Sequence, residues 1–239
     1  MDTRRLLSYV RRAVDDFEMI NDGDRICVGI SGGKDSLALL AGLANLRLFY
    51  PKKFELVALT VDMGFDGVDY SEIEALCREL NVPYHVKKTE IKQIIFDIRK
   101  EKNPCSLCAK MRRGVLHSTA KELGCNKIAF GHHFDDVVET FMLNLFHEGR
   151  IGCFQPVTYL SRADITLIRP LLYMPEKDVR YFANHENLPV VKSPCPADGH
   201  TEREEMKNLL NSLERQHKGL RHRIFGAICR GEIDGFKLF

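Results

Sequence analysis

Residues 25–36 read Arg25-Ile26-Cys27-Val28-Gly29-Ile30-Ser31-Gly32-Gly33-Lys34-Asp35-Ser36, and Leu37, Leu40, Leu43 and Ala44 follow at helical spacing. The short, apolar, β-branched run from Arg25 to Ile30 predicts a strand, and the recurrence behind it predicts a helix. A loop that leaves a strand and opens a helix aims backbone N–H groups at an anion, helped by the helix dipole, provided that side chains stay out of the way. Gly32 and Gly33 meet that condition, Ser31 and Ser36 add hydroxyl donors, and Lys34 brings a positive charge. Residues 31–36 therefore read as a phosphate-binding loop. The GxxxxGK[ST] loop does not fit, because its first glycine would fall on Val28 and Asp35 stands where Ser or Thr is needed. A chance Gly-Gly turn is the plain alternative, and it leaves the flanking strand and helix as coincidence.

Outward from that loop the pattern repeats. Upstream, Leu7, Val10, Val14 and Phe17 predict an amphipathic helix over 3–19, stopped by Asn21-Asp22-Gly23-Asp24. Downstream, Phe54 to Val61 predicts a second strand, Ile73, Leu76, Cys77 and Leu80 a helix, and Tyr84 to Val86 a short strand. A helical stretch over 91–99 ends at Asn103-Pro104, a cysteine pair follows, and Met111, Val115, Leu116 and Leu123 predict a further helix. Lys127 to Phe130 reads as strand, with a helix carrying Val137, Phe141, Met142 and Leu145 behind it. Beyond residue 150 the expectations are a strand at Thr166–Ile168, a helix over 175–187, a Ser193-Pro194-Cys195-Pro196 loop, and a helix begun by the Thr201/Glu204 capping-box spacing. Strands alternating with helices need crossover connections, so the fold class expected is α/β, a doubly wound, mainly parallel sheet with helices on both faces. The division expected is an N-terminal helix over 1–20, a nucleotide domain over 21–200 with an insert around 100–123, and a helical segment over 201–239.

With 239 residues, 44% hydrophobic and 28% charged, the chain can bury a sizeable core, which excludes disordered and collagen-like classes. No window approaches the roughly eighteen apolar residues of a membrane span, and the charged start lacks the apolar stretch of a secretory signal. No membrane association is expected, and a cytoplasmic location follows as the default. A net charge of +2 does not by itself argue for nucleic acid, although arginines gather at Arg4, Arg5, Arg11 and Arg12, at Arg112 and Arg113, and at Arg221 and Arg223. Such clusters are more often solvated helix faces.

Eight cysteines in a chain without a signal peptide point to free, metal-binding or chemically active thiols rather than disulfides. Only Cys105 and Cys108 are closely spaced. Two thiolates two residues apart can reach one metal or cluster, yet leave its coordination incomplete. Cys27 in a buried strand and Cys77 on an apolar helix face read as core, which leaves Cys195, Cys153, Cys125 and Cys229 to complete the set. Cys195, in a stiff proline-flanked loop, is favoured, with Cys153 in reserve. A structural zinc site would want four protein ligands and has no second CxxC, while a thioredoxin-like redox pair would leave the phosphate loop unexplained. Gly131-His132-His133-Phe134-Asp135-Asp136 sits at a predicted strand-to-helix junction, on the sheet edge where doubly wound folds open their crevice. Its two carboxylates read either as helix caps or as site residues.

Ser31 to Ser36 resembles the SGGxDS signature of the PP-loop ATP pyrophosphatases, which cleave ATP between the α and β phosphates to adenylate a carbonyl or carboxyl oxygen. The resemblance extends, more weakly, to Asp62-Met63-Gly64-Phe65, where such enzymes place the adenosine; a plain strand-to-loop turn reads equally well. The run Asn103-Pro104-Cys105-Ser106-Leu107-Cys108-Ala109-Lys110-Met111-Arg112-Arg113-Gly114 is very similar to that of the TtcA-type tRNA 2-thiocytidine synthetases, and the two segments together cover most of residues 20–200. This resemblance implies a [4Fe–4S] cluster on Cys105, Cys108 and Cys195 with one iron free to carry sulfur. In one respect the chain departs from the family: Pro196-Ala197-Asp198 follows Cys195, where members often have another cysteine.

The implied reaction is adenylation of the C2 oxygen of a tRNA cytidine, at position 32, and its replacement by sulfur, with AMP and pyrophosphate leaving. Cofactors expected are ATP, Mg²⁺ and the cluster; partners are tRNA and a sulfur donor such as a cysteine desulfurase or sulfide, with a homodimer left open. Lys34, Asp135 and Arg112 are the catalytic candidates, and Asp35 and Asp136 the Mg²⁺ candidates. Ser31 to Ser36, Asp62, Met63, Gly131 and His132 are expected around the nucleotide, His132 more as structure than as catalyst. Arg112 and Arg113 are candidates for tRNA phosphates, ahead of the N-terminal basic helix. Two other readings keep the ATP loop: thiolation or amide formation on another base or a small molecule, and a sensor that binds nucleotide and cluster without turnover.

Overall fold

The computed structural model describes residues 3–99, 104–191, 195 and 202–238. Its strands are β1 (Asp24–Ile30), β2 (Phe54–Asp62), β3 (Tyr84–Lys88), β4 (Lys127–Ala129), β5 (Val157–Leu160) and β6 (Ile165–Ile168). They form one sheet in the order β3-β2-β1-β4-β6-β5, parallel throughout except for the antiparallel β5–β6 pair at one edge. Around it run α1 (Thr3–Asp16), α2 (Lys34–Arg47), α3 (Ser71–Glu79), α4 (Pro104–Glu122), α5 (Phe134–His147), α6 (Glu176–His185), α7 (Glu202–Gln216) and α8 (Leu220–Arg230).

Strand residues point alternately to opposite faces, and both faces here are covered. Ile26 and Val28 of β1 and Leu56 and Ala58 of β2 share one core with Leu6 and Val10 of α1, the apolar face of α2, and Val179 and Phe182 of α6. Cys27, Val57 and Leu59 point the other way, into a second core with Leu116 and Ala120 of α4 and Leu167 of β6. That two-sided burial explains why the strands read as continuous apolar runs, and it bears out the doubly wound expectation. The C-terminal helices add a smaller cluster, in which Met206 and Leu210 meet Phe134 and Val138 of α5.

Local details differ from the sequence reading. The cysteine pair lies inside α4 rather than ahead of it, because Pro104 takes the first helical position, where its missing N–H costs nothing. The helix expected over 91–99 is a π-helical turn, Gln93–Ile98. Strand β5, short and only half buried, was not anticipated. Thr201 of the proposed capping box and the prolines flanking Cys195 lie outside the described residues, while Glu204 falls in the first turn of α7.

The chain moves from β1 to β2 and β3 on one side, then returns to β4 on the other. Such a reversal leaves a crevice at the carboxyl ends of β1 and β4. The 31–33 loop and the 130–133 segment meet there.

Candidate active site

The loop after β1 is held by its own serines. Ser36 Oγ donates to the Gly33 carbonyl at 2.9 Å, accepts from the Ser31 N–H at 3.2 Å, and lies 3.2 Å from Ser31 Oγ. No side chain caps the N-terminus of α2, so the positive end of that helix faces the cleft. Gly32 has φ +84°, and a Cβ there would come within 3.2 Å of Val191, whose N–H donates to the Gly32 carbonyl at 3.0 Å. A side chain at this position would be strained and crowded.

Lys34 Nζ hydrogen bonds Asp35 Oδ2 at 3.1 Å, lies 3.0 Å from its Oδ1, and reaches Glu176 Oε1 of α6 at 3.2 Å. Asp35 Oδ1 is buried without a hydrogen bond among the described residues, an oxygen with capacity for a hard cation. Gly131 presses on the same turn: a Cβ there would stand 2.9 Å from the Asp35 carbonyl carbon and oxygen.

The acidic helix start divides its work. His133 caps α5, its Nδ1 accepting from the Asp136 N–H at 3.4 Å while Asp136 Oδ2 accepts from the His133 N–H at 2.9 Å. Asp136 Oδ1 pairs with Arg203 of α7 at 2.9 Å, so both its oxygens are engaged although it lines the cleft. Asp135 turns the other way. It accepts from the Glu176 N–H at 2.7 Å, pairs with Arg221 of α8 at 3.1 Å, and lines a separate cavity between α5, α6 and the C-terminal helices. The expectation of a catalytic Asp135 is therefore corrected: adjacent residues on a helix point about 100° apart, and only one of the pair can face the nucleotide loop. His132 does face the cleft, buried against Phe154 with ring centroids 4.9 Å apart. Burial pushes its imidazole down to about 4, so it is neutral at physiological pH.

Two cavities flank the phosphate loop and share Ile30, Ser31, Asp35, Val61 and Arg112. One, of about 520 Å³, is walled by Lys34, Asp62, Met63, Phe65, Tyr70 and Val191. The other, of about 620 Å³, lies between the ends of β1, β2 and β4 and helix α4, with Leu116, Phe130, His132 and Arg169 in its wall. Arg112, half buried, makes no ion pair or hydrogen bond among the described residues. A half-buried cation open to both cavities is suited to an oxyanion that spans them.

Cys105 and Cys108 occupy the first turn of α4, three residues apart and so on one face. Cys105 is exposed, and Cys108 touches Met63, Sγ to Sδ 3.5 Å. Burial pushes the Cys108 thiol up, Arg112 pulls it down, and the thiols of Cys195 and Cys105 push it up again, which puts the three sulfurs within electrostatic reach of one another. Cys195 follows Val191 by four residues, a span of at most about 14 Å from the phosphate loop's neighbour. The rival thiols are buried: Cys125 and Cys229 sit in core clusters, and Cys153 is pushed up to about 12 by burial. Among the described residues no three His, Cys, Asp or Glu side chains already converge on one metal position. A donor set of thiols alone, without the fourth ligand of a tetrahedral zinc, is chemically suited to an iron–sulfur group.

The basic N-terminal helix is largely neutralised. Arg5 pairs with Asp178, Arg11 with Asp15 and Arg12 with Asp16. Sequence reasoning gave no site role to Glu176, Arg203, Arg221 and Arg169, whose partners Lys34, Asp136, Asp135 and Gln155 lie more than ten positions away and leave no local pattern.

Residues 6–214 match the PP-loop domain family. The chain is 41% identical over 228 residues to the tRNA-cytidine(32) 2-sulfurtransferase of Geobacter sulfurreducens, covering 94% of this chain and 89% of that protein. It is 39% identical over 227 residues to the protein of the same name from Citrifermentans bemidjiense, with the same coverage. Among solved structures, the U34-tRNA thiolase NcsA from Methanococcus maripaludis with its [4Fe-4S] cluster superposes with a TM-score of 0.75 at 26% identity, covering 93% of this chain and 77% of that one. The NAD⁺ synthetase of Burkholderia pseudomallei shares the fold alone, with a TM-score of 0.51 at 13% identity, covering 95% and 92%. The phosphate loop, the cysteine pair and these relationships agree, and the chain belongs to the PP-loop family and, within it, to the tRNA-cytidine(32) 2-sulfurtransferases.

Proposed function

We propose that the chain is an ATP-dependent tRNA sulfurtransferase that converts cytidine 32 of a tRNA to 2-thiocytidine, releasing AMP and pyrophosphate. The observation that carries this reading is Arg112, which lies in the wall of both cavities and acts on Cys108, so that the phosphate loop and the thiols serve one reaction space. The backbone at the start of α2 and Lys34 hold the β and γ phosphates, and Asp35 Oδ1 offers itself to a Mg²⁺ ion. The cytidine O2 attacks the α-phosphorus and pyrophosphate leaves, converting an amide-like oxygen that departs poorly into an adenylate that departs readily. Arg112 stabilises the charge that gathers on the α-phosphate. Neutral His132 and the apolar wall beside it keep water from the adenylate.

Cys105, Cys108 and Cys195 would hold a [4Fe–4S] cluster, which when bound supplies the sulfur that displaces AMP at C2. Sulfide replenishes it directly; sulfur from the persulfide of a cysteine desulfurase does so once a dithiol reductant, itself oxidised to a disulfide, has supplied the two electrons that bring it to the sulfide level. Arg112 and Arg113 are the cations placed to meet tRNA phosphates at the mouth of the cleft. Location in the cytoplasm follows from a tRNA substrate; among the described residues no helix is long and apolar enough to cross a membrane.

The test is anaerobic incubation of cluster-loaded protein with ATP, sulfide and unmodified tRNA, followed by nucleoside mass spectrometry. 2-Thiocytidine together with stoichiometric AMP is expected. Thiolation of uridine alone, or pyrophosphate release that does not depend on tRNA, would replace the reading with one of its alternatives.

A further inference from the structure

The cavity that Asp135 lines, of about 580 Å³, lies between α5, α6, α7 and α8, beside the reaction cleft. The first turn of α5 separates the two spaces, since Asp136 faces the cleft and Asp135 faces this cavity. Glu176 also joins them: it lines the cavity and pairs with Lys34 of the phosphate loop at 3.2 Å. A ligand bound here lies one carboxylate away from the triphosphate site.

The carboxylates of this cavity do not balance its cations. Asp135 is taken by Arg221 at 3.1 Å. Glu214 commits both oxygens to the backbone, accepting from the Gly219 N–H at 2.6 Å and the Arg221 N–H at 2.9 Å, and so fastens the start of α8. Glu176 serves three cations, Lys34, Arg180 at 3.0 Å and Lys207 at 2.9 Å, and Glu139 and Glu204 add only weaker pulls on Lys207. Lys177, exposed in the cavity wall, makes no ion pair or hydrogen bond among the described residues. Helix α6 opens onto the same space behind Pro175 with no side-chain cap, which adds the positive end of its dipole. A concave wall with surplus positive charge is a seat for an anion.

Beside the cations stands a flat ring. Tyr181, 56% exposed, lines the cavity and stacks on His185 with ring planes 19° apart. One turn further along α6, the Asn184 amide makes no side-chain hydrogen bond among the described residues. Single-stranded RNA uses both kinds of group: its backbone meets the charges and its bases stack on the ring. An acidic peptide or a free phosphate would use the cations and leave the ring bare.

Resting on the thiolation reading above, we propose that the cavity between α5, α6, α7 and α8 is a second tRNA-binding site. Lys177, Arg180 and Lys207 receive a backbone phosphate of the tRNA loop there, and Tyr181 stacks a base that flanks the one entering the cleft. The substrate strand is thus held on both sides of the α5 N-terminus, by Arg112 and Arg113 at the cleft mouth and by α6 and α7 here.

Fluorescence anisotropy of labelled, unmodified tRNA with the full chain tests this. The Lys177→Ala/Tyr181→Ala double variant raises the Kd for tRNA ten-fold or more, and Lys177→Ala by itself lowers the salt slope of binding by roughly one. Tyr181→Phe, which keeps the ring, binds within about three-fold of the unaltered protein. Both side chains are exposed, so Tm and the Kd for ATP stay as they were. An unchanged Kd for tRNA in the double variant overturns the proposal. Weaker pyrophosphate binding with tRNA affinity intact also overturns it and makes the cavity a product exit. Irradiation of the unaltered protein with 4-thiouridine-substituted tRNA needs no variant to fold: adducts within residues 175–185 are expected, and adducts only elsewhere defeat the assignment. The two readings fail differently. Unmodified tRNA that does not bind the unaltered protein counts against thiolation itself, whereas tRNA that binds it and the double variant equally well removes this site alone.

Discussion

Lys34 Nζ lies 3.2 Å from Glu176 Oε1, so the cation of the phosphate loop is shared with a carboxylate from the first turn of α6. Glu176 also takes Lys207 at 2.9 Å and Arg180 at 3.0 Å. Burial acts to raise this carboxyl, but Lys207 and Lys34 outweigh it and bring it down to about 2. It stays ionised across the working pH range, and an arriving triphosphate must compete with it for Lys34.

Lys34→Gln should therefore weaken ATP binding at least ten-fold, the scale of one charged hydrogen bond at about 1.5–3 kcal/mol. Glu176→Gln should tighten ATP two- to five-fold at low ionic strength, and lower Tm because Lys207 and Arg180 lose their partner. Titration calorimetry of both variants decides the matter. Weaker ATP binding by Glu176→Gln would mean that the carboxylate orients Lys34 instead of competing for it.

Asp135→Asn should behave as a stability variant. Arg221 is 8% exposed, and without Asp135 its remaining partners are Glu139 at 3.5 Å and the Asn211 amide oxygen at 3.0 Å, so the expected loss is about 3 kcal/mol of unfolding free energy with the KM for ATP unchanged. Urea melts alongside steady-state kinetics would show it. A large drop in kcat without loss of stability would restore the catalytic role that the sequence assigned to this residue.

Glu139 gives the C-terminal helices a pH dependence. Burial, then Asp136, pushes its carboxyl up to about 7, against the pull of Arg203 and Arg221. A carboxyl whose folded pKa is raised contributes stability that is fully present below the unfolded value and is lost as pH rises through the folded one. Between pH 4.5 and pH 7 the loss is on the order of 3 kcal/mol, at 1.36 kcal/mol per unit. Tm of the wild type should thus fall more steeply than that of Glu139→Gln over this interval. Parallel slopes would show that the carboxyl titrates normally.

Cys105→Ser, Cys108→Ser and Cys195→Ser should each lose most of the iron and acid-labile sulfide bound after anaerobic reconstitution, whereas Cys153→Ala should retain both. Iron retained by Cys195→Ser but lost by Cys153→Ala would move the third ligand into the core.

The parts legible in the sequence were those set by local pattern. Arg25 to Ile30 followed by two glycines announced the strand, the turn and the helix that position the phosphates, because side-chain period and glycine placement act over a few residues. The cysteine pair announced a sulfur site for the same reason, but its partner sulfur must come from far along the chain, and no spacing encodes which thiol that is. Asp135 and Asp136 could not be told apart, since the choice between them is made by Arg203 and Arg221, both more than sixty residues away. Strand β5 escaped because Val157 to Leu160 is short, half exposed and at a sheet edge, where little burial shapes the sequence.

Val191 donates its N–H to Gly32 and crowds the space that a side chain there would take. The polypeptide that carries Cys195 is thus pinned to the floor of the anion cradle. A side chain introduced at Gly32 would therefore push on Val191 as well as strain its own turn, distorting the cradle from both of the segments that form it.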